Sequence, residues 1–91
     1  MTLLHVTTAK GWTALQKGPM TPDGYWHLCT PVQLPFVLKH HFAGATGLVV
    51  LHLDPALLGD VRWEASEPGM NPFPHLYAPL TAGAVVWVMR L

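Results

Sequence analysis

Six histidines in a chain of 91 residues are the side chains best able to do chemistry, and their settings differ. His5, His27 and His75 each lie inside or at the start of an apolar, strand-like run with turn residues nearby. Three imidazoles can bind zinc and leave a position open for water. No H-x-H or H-E-x-x-H pair links these three, so a zinc site ranks third among the functional readings and no metal ligand set is assigned. His40 and His41 are adjacent near a predicted helix end, where interaction with the helix dipole and solvent is the expected role. His52 alternates with Val50 on a strand and is expected to be a hydrogen-bonded structural group.

Cys29 sits two residues from His27 and therefore on the same strand face. A nucleophilic thiolate needs a positive or polarising setting that the local sequence does not supply, so a buried core role is expected. The segment "HFAGATG" has two glycines but neither dinucleotide-binding spacing nor a phosphate-loop lysine. Around His75, "NPFPHLYAPL" places prolines at 72, 74 and 79, which restrict the backbone on both sides of the imidazole.

The elements that position these residues can be read along the chain. "TLLHVTT" is a strand, and "AKGWTALQKG" changes to helical spacing before Gly18. A turn-rich loop leads to "YWHLC", which places Tyr25, His27 and Cys29 on one face and Trp26 and Leu28 on the other. Thr30, Pro31 and Gln33 carry the signature of a helix start with a capping box. Pro35 lacks a donor and crowds the carbonyl of Pro31, which predicts a distorted or separate first turn before a helix running toward Phe42. "GLVVLHLD" is the clearest strand, followed by a capped single turn at "DPALLGD" and by "VRWE". "HLYAPL" is extended, and "AVVWVMRL" is the last strand. Two strand–helix units followed mostly by strands predict an α+β fold.

Length and composition narrow the functional classes. Ninety-one residues fit a single domain, 1–91, with one core. Five basic residues balance five acidic ones and are scattered, which argues against nucleic acid as a partner. Charged residues make up 11% and apolar residues 51%, so apolar surface should remain after folding, and a homodimer would cover it. No run reaches the ~20 apolar residues of a membrane helix, and "MTLLHVTTAKGW" lacks the features of a signal peptide. The expectation is a soluble, cytoplasmic protein with no membrane partner; the single cysteine excludes an internal disulfide and suits a reducing compartment.

The segments "LLHVTT", "GYWHLCTPVQLP", "LVVLHLDPALLGDVRWE" and "FPHLYAPL" resemble, nearly end to end, the bacterial family catalogued as domain of unknown function 952. The fold of that family is similar to that of the ADP-ribosyltransferases, which bind NAD in a cleft between two small sheets. The resemblance implies two short β-sheets forming a cleft, with two helices. It matches His5 to the histidine that contacts the adenosine ribose, and His27, with Tyr25 nearby, to the aromatic position against nicotinamide. The position of the late glutamate falls near His75.

A neutral imidazole cannot stabilise the positive charge that develops on ribose as a carboxylate does. Glu64 at the end of "VRWE" is the candidate to supply that carboxylate, ahead of Glu67. The phosphotransferase branch of the same fold uses arginines on phosphate, whereas Arg62 and Arg90 are the only arginines here. The resemblance thus implies a catalytic set of His5, His27, His75 and Glu64, and a cofactor-binding set of His5, Tyr25, His27, Thr30 and Tyr77. The expected ligand is nucleotide-like, of the NAD or ADP-ribose type, with glycosyl or phosphoryl transfer as the chemistry. The alternative is a non-catalytic interaction or dimerisation module.

Overall fold

The computed structural model describes residues 1–65 and 67–91. Leucine and β-branched residues carry the first strand, β1 (Leu3–Thr8), straight into helix α1 (Ala9–Gln16). Thr8 makes that switch local: its hydroxyl accepts a hydrogen bond from the Gly11 N–H and caps the helix. The chain then forms β2 (Trp26–His27), α2 (Leu34–His41), β3 (Leu48–Leu53), β4 (Val61–Glu64), β5 (Phe73–Leu76) and β6 (Val85–Arg90). Short 3-10 turns at Pro55–Leu57 and Ala82–Ala84 precede β4 and β6.

The strands form two antiparallel sheets, ordered β1-β3-β6 and β2-β5-β4. The result is an α+β fold with two helices and two three-stranded sheets. Central β3 is buried at every position except His52, as expected for a strand covered on both faces. Val49, Leu51 and Leu53 pack with Leu15 of α1 and with Leu28 and Leu76 from the smaller sheet. Leu48 and Val50 join Leu4, Val6 and Cys29 in a second cluster under Leu34, Val37 and Leu38. His52 packs beside Trp87, with ring centroids 4.8 Å apart, but its buried Nε2 has no hydrogen-bond partner among the described residues. The expected hydrogen-bonded role is therefore replaced by aromatic packing against Trp87 of β6.

The two sheets are joined where β2 ends. Leu28 N–H still donates to the Pro74 carbonyl of the smaller sheet, and one residue later Cys29 exchanges backbone hydrogen bonds of 2.7 and 2.9 Å with Leu4 of the larger one. This departure also explains a proline in a central strand. Pro74 lies in β5, between β2 and β4, where an internal proline is ordinarily excluded. Its carbonyl faces the end of β2; the missing N–H lies on the same side, where the two-residue strand has turned away.

The capping box forms as expected: Thr30 N–H donates to Gln33 Oε1, and Gln33 N–H to Thr30 Oγ1. It closes a separate turn, and α2 begins at Leu34, one residue before Pro35. Gln33 Nε2 also donates to the Pro72 carbonyl at 3.0 Å, holding the start of α2 against the proline-rich segment. Residual apolar surface is visible on β6, where Val86 is 56% and Trp87 60% exposed. Among the described residues no helix is long and apolar enough to cross a membrane. At the centre of the core, Leu51→Ala should lower stability by about 3 kcal/mol. That loss should appear as a lower urea midpoint with an unchanged slope.

Candidate functional site

Period-two alternation sorts the smaller sheet into two chemically different faces. Trp26, Leu28, Val61 and Leu76 pack on the core. On the other face His27 lies directly across from His75, and His75 across from Arg62. Tyr25, Glu64 and Tyr77 are two residues from these positions and share that face, so the polar and aromatic groups form one patch.

His75 is its centre. It is only 7% exposed, and its Nδ1 lies 2.9 Å from Glu64 Oε1. Because an ionised carboxylate only accepts, Nδ1 carries a proton, and Nε2 is the acceptor whenever the ring holds only that one. The Tyr77 hydroxyl donates to the same Glu64 oxygen at 2.5 Å. Tyr25 stacks on the His75 ring with centroids 4.0 Å apart, while the His27 ring meets its edge at 5.7 Å. Hydrogen bonds from Tyr77 and then His75 hold the Glu64 carboxyl below its ordinary range, and the bond to Glu64 raises the Tyr77 phenol.

Beside this patch is a cleft of about 610 Å³ between α2 and the smaller sheet. His5, His27 and His75 all border it, together with Tyr25. The three imidazoles do not form an equal cluster: His5 turns its Nδ1 to the His27 carbonyl at 2.9 Å and presents its ring edge-on to Trp26. Burial lowers the pKa of both His5 and His27; His75 and then His41 add electrostatic lowering at His27.

The remaining candidates lie behind or beside the cleft. Glu64 and Tyr77 are outside its lining and act on it through His75, and Thr30 is engaged in the capping box. The cleft-lining Cys29 is inside the core, where burial pushes its thiol up to about 11, a setting unsuited to a nucleophile. Glu67 reaches the rim.

Sequence reasoning missed the wall opposite. His40 and His41, read as helix-end residues, border the cleft from α2, and Phe36 stacks on His40 at 4.1 Å while approaching Phe73 at 6.0 Å. Their spacing offers a signal, since Phe36 and His40, and beside them Val37 and His41, are four residues apart on α2, but that spacing cannot say what the pairs meet. No group of three or more described His, Cys, Asp or Glu residues is arranged to hold a metal ion.

Two measurements follow from this geometry. Glu64→Gln should bring the Tyr77 phenol down toward its ordinary value in an ultraviolet pH titration; an unmoved titration would show that the contact does not set it. A base with a depressed folded pKa lends stability that is complete above the unfolded value and lost as pH falls through the folded value. Urea midpoints should thus decline below about pH 6.5, and His27→Gln should blunt the decline.

Similarity to known proteins agrees with this architecture. The crystal structure of protein CC0527 from Caulobacter crescentus is 29% identical with a TM-score of 0.87, the match covering 100% of this chain and 86% of that one. The solution NMR structure of CC0527 is 31% identical with a TM-score of 0.84, covering 99% and 84%. None of the curated proteins matches the chain. From His5 to Val88, nearly the whole molecule follows the family described as "Protein of unknown function (DUF952)", and the chain belongs to that family.

Proposed function

We propose that the cleft binds a nucleotide-like small molecule of the NAD or ADP-ribose type, and that His75 is its acid–base group. The reading also takes the two three-stranded sheets with their adjoining cleft as an ADP-ribosyltransferase-like arrangement. The observation that carries it is the setting of His75: a nearly buried imidazole at the cleft, fixed on one edge by Glu64 and on one face by Tyr25. A group held in this way has one tautomer, and its second nitrogen makes no hydrogen bond among the described residues.

The aromatic rings of Tyr25, Phe36 and Phe73 supply surfaces for a planar heterocycle, and the imidazoles supply donors and acceptors for sugar hydroxyls. Glu64 has a different part in this scheme from the carboxylate of the enzymes the sequence resembles. Its Oε1 already accepts two hydrogen bonds, and it lies behind His75. It therefore orients the imidazole and stabilises the imidazolium that forms when Nε2 takes a proton, in glycosyl or phosphoryl transfer.

Calorimetric and NMR titrations of the folded chain with NAD, ADP-ribose and nucleoside phosphates test the proposal. Binding should move the ring resonances of Tyr25, His27 and His75, and His75→Ala should weaken it by about tenfold or more. A folded sample that binds none of these ligands overturns the proposal.

A further inference from the structure

The charge pattern of the cleft says which part of such a ligand it can enclose. Among the described residues neither lysine nor arginine lines it, and Glu67 at the rim brings a carboxylate. Arg62, across from His75 on β4, is outside the lining: its guanidinium makes bonds of 2.8 and 3.2 Å to Asp60 and lies over the Tyr77 ring at 4.3 Å. Lys39 of α2 precedes His40 but is outside the lining. The polar capacity therefore rests chiefly on imidazoles.

We propose, resting on the nucleotide-type reading above, that the enclosed part of the ligand carries no negative charge at neutral pH: the cleft holds the heterocycle and ribose of a nucleoside, while any phosphate stays in solvent. A neutral imidazole offers one N–H donor and one lone pair, which matches a ribose hydroxyl or the edge of a base. A phosphate is acceptor-only and must shed hydration to enter, and neutral rings return no charge attraction for that loss.

Burial disfavours a charge on His5 and His27, and the groups that face one another around the cleft bear on how much charge it can carry. They are His5 from β1, Tyr25 and His27 at β2, His40 and His41 from α2, His75 from β5, and Glu67 at the rim. Glu64 and Tyr77 face His75 from behind. With His27 and His75 at 5.7 Å and His41 also acting on His27, a second positive charge meets both burial and repulsion. Acidification changes the balance, because imidazolium groups would then attract phosphate.

Calorimetry on the full chain distinguishes the outcomes, using adenosine, nicotinamide riboside, ADP-ribose, NAD and inorganic phosphate. At about pH 7.5 one of the two nucleosides should bind within about threefold of its phosphorylated parent, and inorganic phosphate should not bind. At about pH 5.5 the parent should gain about fivefold or more over its nucleoside. Loss of about tenfold or more on removing the phosphates at the higher pH, with the parent bound, would overturn this inference and leave the nucleotide-type reading standing. A phosphorylated ligand whose advantage is equal at both pH values would overturn the part given to the imidazoles, and failure of every compound to bind would overturn the underlying reading.

Discussion

The register of the three shortest strands is the constraint on which the site depends. Leu76 lies across from Trp26 and Val61 in one row, and His75 across from His27 and Arg62 in the next. A slip of β5 by one residue would exchange its faces, driving the His75 imidazole into the core and turning Leu76 toward water. Burial of Leu76 alone contributes about 2 kcal/mol, before the cost of burying the imidazole is counted. Backbone bonds from Leu28 to Pro74 and from Tyr77 to Asp60 fix both sides of β5. The chemistry is thus placed by apolar packing on the opposite face of the same sheet.

The cleft exists because β2 leaves its sheet after two residues. The chain passes to Leu4 through Cys29, turns at the Thr30–Gln33 capping box and sends α2 back alongside the opening. Gln33 then binds the Pro72 carbonyl, so the helix and the segment leading to His75 share one anchor. This gives the stiff proline-rich stretch a physical purpose. Pro72 presents a carbonyl with no competing N–H of its own, and Pro74 ends the pairing where β2 departs. Both effects locate β5 relative to α2 before any side chain of the site is considered.

Local pattern made much of this legible in the sequence. The β-branched runs, the capping box, the effect of Pro35 on the helix start and the alternation of Tyr25 and His27 with Trp26 and Leu28 are all short-range signals, and each has its counterpart in the fold. What was not legible depends on contacts between distant elements. Nothing in "FVLKHH" says that its histidines face a sheet reached through a proline-rich loop. Tyr77 was grouped with ligand contacts, yet its hydroxyl meets Glu64 across a strand pairing that its neighbours do not disclose. Thr30 shows a different limit, for the hydroxyl that accepts from Gln33 N–H is part of a motif already readable as structural.

The arrangement around His75 separates two tasks that one residue would otherwise share. Glu64 fixes the proton on Nδ1, Tyr77 fixes Glu64, and Tyr25 covers a ring face, so the orientation of the imidazole is set from an edge and from a face. Because the protein itself orders that ring, binding of the proposed ligand would not have to supply the entropy loss of doing so. The same packing limits electrostatic force, since rings close enough to hold one another in place are also close enough to oppose a second proton. Among its described lining residues such a cleft offers the directional hydrogen bonding of imidazoles and lacks the fixed positive charge that a lysine or arginine would provide.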